Sequence, residues 1–177
     1  MVWPVVTVEP IDAGQRRRVV AATADCLARA GKVLARRFAA IPVLFDLTGR
    51  AAGMYRVRRG QRVIRYNPYI FAKDLADNLA TTVPHEVAHY VVDVVYGRGR
   101  VRPHGREWSE IMAALGADPG RTHAYDLSGV PVRAQRRHPY CCACTTHHLT
   151  TRRHHQVLRG TMTYRCRRCG GELTPAG

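Results

Sequence analysis

The stretch "ATTVPHEVAHYVVDVVYG", residues 80–97, decides how the chain is read. It sets two histidines and a glutamate, His85, Glu86 and His89, inside an apolar run, with Pro84 directly before them. On a helix, positions four apart share one face a turn apart, so His85 and His89 can reach a common ion. Glu86 projects beside that pair. This H-E-x-x-H spacing supplies two metal ligands and a carboxylate placed to deprotonate metal-bound water. Val83, Val87, Ala88, Val91 and Val92 surround the histidines, a poor setting for two ordinary surface residues.

A catalytic zinc needs a third protein ligand and an open position. His104 is the best downstream candidate, in a Pro-His-Gly context where a loop returns to a helix; His123, Glu107 and Glu110 are alternatives, and Glu107 and Asp93 also suit supporting roles around the metal or surface ion pairs. Pro84 allows two readings. Either a helix begins near Thr82 with the proline in its first turn, or one helix runs from about residue 71 to 96 and kinks at 84. The apolar spacing through Leu75, Leu79, Val83 and Val87 favours the kinked helix, which would free a backbone carbonyl near the metal.

Working outward, residues 15–38 read as an amphipathic helix, with Val19, Val20, Thr23, Leu27, Leu34 and Phe38 at helical spacing and Cys26 as a small core residue. Residues 41–47 read as a strand, and 53–68 as a hairpin turning near Arg59-Gly60-Gln61, its arginines on a solvated face. Residues 106–116 form a short helix with Trp108, Ile111, Met112 and Leu115 inward and Gly116 at its end. These elements predict an α+β architecture with a small antiparallel sheet over 1–132, followed by a separate module over 133–177.

That module holds five of the six cysteines. Cys166-x-x-Cys169-Gly is a metal knuckle that needs a partner pair from Cys141, Cys142, Cys144 and His147. A structural zinc on Cys144, Cys166 and Cys169, completed by Cys142 or His147, is the expectation. Around it lie Arg152, Arg153, Arg165, Arg167 and Arg168, with Tyr140 and Tyr164 interleaved and Glu172 the one acid. Arginines with stackable rings suit a nucleic-acid strand.

The whole chain of 177 residues carries 28 basic against 13 acidic residues, a formal charge of +15, and only Lys32 and Lys73 are lysines. An arginine-dominated surface favours phosphate and carboxylate partners. No leader-like or membrane-spanning run is present, so the expected setting is cytoplasmic, with nucleoid association compatible with the charge.

"VPHEVAHYVV", "VRPHGREWSEIM" and "RTHAY", with the cysteine tail, resemble the SprT family of zinc metallopeptidases and its bacterial C-terminal zinc ribbon. The resemblance implies a zincin-like core with His85, His89 and His104 on a catalytic zinc and Glu86 as general base. It matches Cys142, Cys144 and His147 to the ribbon pattern Tyr-x-Cys-x-Cys-x-x-His and leaves Cys141 unligated. It also implies zinc-assisted amide hydrolysis, with DNA, single-stranded or damaged, and DNA-crosslinked proteins as partners, as for the related Spartan proteases. An oxyanion donor remains open among His123, Tyr125 and Arg106. Two other readings stand beside it: a nucleic-acid-binding zinc-ribbon protein without protease activity, and a different zinc hydrolase, RNA-processing or deformylating, on a similar helix.

Overall fold

The computed structural model describes residues 8–120, 125–132 and 136–176. The chain divides into two compact units, Met1–Val132 and Arg133–Gly177.

In the first unit, α1 (Ala13–Val33) opens with a capping box in which the Asp12 carboxylate accepts from the Gln15 N–H and the Gln15 side chain accepts from the Asp12 N–H. The helix stops short of the predicted residue 38. Ala35 takes φ 47°, the Arg36 N–H donates to the Gly31 carbonyl, and the Ala35 N–H donates to that of Lys32. This is a Schellman ending with alanine where glycine is usual. Gly31 permits it, since a Cβ there would lie 2.9 Å from the Arg36 carbonyl oxygen. Leu34 and Phe38 still pack on the core, from the loop.

The predicted strand at 41–47 shrinks to β1 (Val43–Leu44). The hairpin forms as expected from β2 (Gly53–Arg58) and β3 (Gln61–Tyr66), turning on Arg59 and Gly60, both at positive φ. Strand order is β1-β3-β2, with β1 parallel to β3 and β2 antiparallel to it. The sheet is therefore mixed, not the antiparallel one predicted. Among the described residues the outer edge of β2 has no strand partner.

Residues 68–96 are not one kinked helix. They form α2 (Pro68–Lys73), α3 (Leu75–Ala80) and α4 (Thr82–Tyr96). The Asn67 side chain accepts from the N–H groups of Tyr69 and Ile70, and Asp74 caps α3 by accepting from Asp77. Pro84 sits in the first turn of α4, where its missing N–H has no intrahelical acceptor to lose. The proposed kink, and the carbonyl it would free, are absent. Helix α5 (Arg106–Ala114) buries Trp108, Ile111 and Met112, and Gly116 follows its end at φ 73°.

The core gathers Val19, Cys26 and Leu27 of α1, Ile64 and Tyr66 of β3, Val83, Val87 and Val91 of α4, and the buried face of α5. Helix α4 is thus packed against α1, α3, α5 and β2.

The second unit has a sheet of β4 (Arg137–Cys141), β5 (Thr146–Thr150) and β6 (Thr174–Pro175), in the order β5-β4-β6, and a helix, α6 (Thr151–Leu158), that the sequence reading did not foresee. Its buried core is four residues, Tyr140, Leu149, Cys166 and Leu173. Among the described residues no helix is long and apolar enough to cross a membrane.

Candidate metal centres

Among the described residues two clusters of donor atoms converge, one in each unit. In the first unit, α4 supplies His85 and His89, and the turn before α5 supplies His104. That turn is tight. His104 adopts φ 55°, and the Gly105 N–H donates to the Arg102 carbonyl. A Cβ at residue 105 would meet that carbonyl oxygen at 2.9 Å, so the glycine is needed for the chain to double back into α5. Histidine is among the residues that tolerate the left-handed region.

The three Nε2 atoms form a near-equilateral triangle, 3.2 Å between His85 and His89, 3.0 Å between His89 and His104, and 3.1 Å between His104 and His85. Three ring nitrogens aimed at one point are ill suited to hydrogen bonding among themselves. They suit a cation: a tetrahedral zinc with Zn–N near 2.0–2.1 Å sets its nitrogens ~3.3–3.4 Å apart, within a few tenths of an ångström of these edges. Burial, followed by the proximity of His85 and His104, pushes His89 down to about 3. It is therefore held as the neutral imidazole that ligation requires.

Glu86, the residue after His85 on α4, is 6% exposed. Its Oε2 accepts a 2.6 Å hydrogen bond from the Tyr55 N–H, which projects from the outer edge of β2. Burial pushes the carboxyl up to about 7, and the Tyr55 N–H partly offsets this. A group balanced near neutrality can both accept and return a proton. Gly53 makes the room: a Cβ there would lie 2.6 Å from Cγ and Oε1 of Glu86.

Tyr55 is anchored again at its far end. Its hydroxyl donates to Asp93 Oδ2 at 2.7 Å, and Arg62 Nε donates to the same oxygen at 2.6 Å. Burial alone would raise the Asp93 carboxyl, but these two hydrogen bonds outweigh it and hold the group below its usual range. Strand β2 is therefore fastened to α4 at positions 86 and 93, about two turns apart. Trp108 completes the site. Its ring lies 4.8, 5.7 and 4.7 Å from the rings of His85, His89 and His104, and its Nε1 donates to the His85 carbonyl at 3.4 Å.

Of the other candidates, Arg106 pairs with Glu110 at 2.7 Å on an exposed helix face, and the hydroxyls of Tyr125 and Thr82 lie 2.9 Å apart. Neither Glu107 nor Glu110 belongs to the histidine cluster. His123 lies outside the described residues. Gly53, Tyr55 and Trp108 went unrecognised as site residues. A strand-opening glycine and a core tryptophan have no local signature of such a role.

In the second unit the converging set is Cys142, Cys144, Cys166 and Cys169. Sulfur separations of 3.4 Å for Cys142–Cys144 and 3.6 Å for Cys144–Cys166 are far beyond a disulfide and near the ~3.8 Å that a tetrahedral ion with Zn–S of about 2.3 Å imposes. Backbone N–H donors, chiefly at Cys144, bring the Cys142 thiol down to about 5, and those of Cys169 and Arg168 lower Cys166. Facing thiols raise Cys144. His147 stands just outside the four, its Nε2 3.4 Å from Cys142 Sγ. Cys141 lies apart, against the Thr146 hydroxyl at 3.8 Å.

The arginines of this unit, Arg152, Arg153, Arg165, Arg167 and Arg168, are exposed, and none joins an ion pair among the described residues. Tyr140 is fully buried and offers no stacking face. Tyr164 packs on the small core, donates to Gln156 Oε1 at 2.9 Å, and has the Arg153 guanidinium over its ring at 5.5 Å.

A family profile described as the SprT-like family matches residues 23–134. Protein SprT of Klebsiella pneumoniae is 38% identical over 159 residues, covering 89% of this chain and 92% of that relative. Protein SprT of Vibrio parahaemolyticus is 36% identical over 154 residues, covering 86% and 89%. Protein SprT of Shewanella oneidensis is 36% identical over 153 residues, covering 86% and 94%. No solved structure matches. With a profile match over most of its length and relatives above one-third identity across both units, the chain belongs to the SprT-like family.

Proposed function

We propose that the first unit is a zinc-dependent endopeptidase of zincin-like fold, acting on DNA-associated or DNA-crosslinked proteins. The observation that supports it most is the pairing of a cation-shaped histidine triangle with a buried carboxylate fixed beside it. His85, His89 and His104 would hold the catalytic zinc, and three protein ligands leave a tetrahedral ion a position for substrate or solvent. Zinc there supplies Lewis-acid polarisation of a carbonyl and acidifies water.

The protein's own part is proton transfer and orientation. Glu86 takes the proton from the attacking water and returns it to the departing amine nitrogen. The Tyr55 N–H and the glycine at 53 confine the carboxylate to one position, so little reorganisation is needed at each transfer. Trp108 walls the three imidazoles and limits their rotation.

In the second unit, Cys142, Cys144, Cys166 and Cys169 would hold a structural zinc in place of the large core this unit lacks. Its exposed arginines, none in an ion pair among the described residues, support nucleic acid as the partner that brings the protein to its substrates.

The test is the Glu86→Gln variant, loaded with zinc and incubated with a protein substrate, with and without single-stranded DNA. Cleavage by wild type that chelator blocks, and its loss in a variant that retains zinc, is the expected result. Cleavage retained in Glu86→Gln would refute the assignment. DNA binding without cleavage in wild type would favour a non-proteolytic binding protein, and deformylation or RNA cutting a different hydrolase.

A further inference from the structure

The β2–β3 hairpin carries a cluster of arginines that the metal chemistry does not use. Antiparallel register puts Met54 opposite Arg65, Arg56 opposite Val63 and Arg58 opposite Gln61, so these six share one face of the sheet. Leu44, opposite Arg65 on β1, joins them. Strand β1 pairs β3 only at Ile64 and Arg65, so among the described residues the hairpin from Val63 to its turn is a two-stranded ribbon with no third strand beside it.

Two of the arginines here are neutralised. Arg65 donates to Asp46 at 2.8 Å, and Arg62, opposite Val57 on the other face of the sheet, donates to Asp93 at 2.6 Å. Arg56, Arg58 and Arg59 are exposed and form no ion pair among the described residues. Arg59 stands at φ 49° in the two-residue turn, where asparagine, aspartate or glycine is the usual choice. The face borders a groove of about 880 Å³ whose lining includes Leu44 and Val63. At the tip of the ribbon, Arg59 lines the same groove as Arg56 and Arg58.

We infer that this hairpin face binds the phosphodiester backbone of nucleic acid, as a contact surface of the first unit separate from the arginines of the second. Guanidinium groups match phosphate and carboxylate oxygens alike, so two other features favour nucleic acid over an acidic peptide. Arg56 and Arg58, two residues apart on a strand, repeat every ~6.7 Å along one line, which suits a regularly spaced chain of anions. Exposed Leu44 and Met54 give sugars and bases an apolar bed beside the charges. A free two-stranded ribbon is also an element that duplex grooves admit.

The inference rests on the reading of nucleic acid as a partner, and the experiment separates the two. Equilibrium binding of a fluorescent single strand and of the matching duplex is measured from low to moderate salt. The full-length zinc-loaded chain is compared with an Arg56→Gln, Arg58→Gln, Arg59→Gly variant and with one in which the same three are lysine. Each phosphate contact contributes about 0.7 to the slope of log K against log salt on single strands and about 0.9 on duplex. The neutral variant should lose about 2 from the single-strand slope and nearly 3 from the duplex slope, and the lysine variant should keep both. Loss on only one of the two identifies which form of the backbone the ribbon takes. Unchanged slopes in the neutral variant overturn this inference alone. No nucleic-acid binding by wild type overturns it together with the partner assignment. Polyglutamate binding that only the neutral variant loses, with nucleic-acid slopes unchanged, reassigns the surface to acidic peptides.

Discussion

Gly53→Ala tests the confinement of Glu86 most sharply, because the substitution adds one carbon and no charge. The new Cβ would stand 2.6 Å from Cγ and Oε1 of Glu86 and 2.9 Å from Cδ. Ordinary contact begins near 3.4 Å, so the carboxyl must retreat by roughly 0.8 Å. Added to the present 2.6 Å, that retreat stretches the Tyr55 N–H bond to roughly 3.4 Å, beyond the range of a strong one. A misplacement of about 1 Å in a catalytic group costs on the order of 100-fold in rate, or about 2.7 kcal/mol. Overpacking subtracts a further ~1–3 kcal/mol from stability, of which alanine's better strand entropy returns about 0.5–1. The protein should still fold. The assay is steady-state cleavage by zinc-loaded protein, with metal content and a thermal melt measured on the same sample. The expected result is kcat lowered about 100-fold with zinc retained. A folded, zinc-loaded Gly53→Ala variant that cleaves at the wild-type rate would refute the claim that the glycine sets the carboxylate. Loss of zinc along with activity would contradict it too, by putting the damage on the histidines.

Other expectations follow from the same contacts. Tyr55→Phe leaves the N–H on Glu86 but removes the hydroxyl from Asp93, and should lower unfolding stability in urea by about 1–3 kcal/mol; an unchanged midpoint would mean that the far anchor is idle. Because the Asp93 carboxyl is held below its usual range, its contribution is complete above the unfolded carboxyl's pKa and is lost as pH falls through the lower folded value. The stability gap between wild type and Asp93→Asn should therefore be constant from pH 7 to 5 and shrink only in stronger acid; a gap that widened there would reverse the sign. Cys169→Ser should cost the second unit its ion and most of its structure, since among the described residues its core has only four fully buried members. Backbone amide exchange in residues 137–175 reports this, and native-like protection in zinc-free Cys169→Ser protein would contradict it.

Much of the site was legible in the sequence because it obeys a period. The four-residue step from His85 to His89 survives folding wherever a helix forms, and the Pro-His-Gly turn announced a loop able to return His104. The cysteine pairs likewise carry their own spacing. What was not legible depended on capping or on contacts distant in sequence. The apolar rhythm through Leu75, Leu79, Val83 and Val87 runs unbroken across α3 and α4, yet the junction at Thr81 divides it. Helix α1 ends early on an alanine where the usual signal is glycine, and the helpful glycine, Gly31, sits inside the helix. Helix α6, "TRRHHQVL", has too few apolar residues for any stripe. Glu86 is held by an N–H and a glycine from 31 and 33 residues earlier in the chain, a relation that only the packing of β2 on α4 creates.

The measurement that bears most directly on the account is bound zinc per chain, by elemental analysis after dialysis, in wild type and in His104→Ala. Two converging donor sets predict two equivalents in wild type, and in His104→Ala close to one, with the remaining ion on the cysteines and cleavage gone. Equal zinc in the two proteins, with cleavage undiminished, would contradict the histidine triangle as the catalytic metal site.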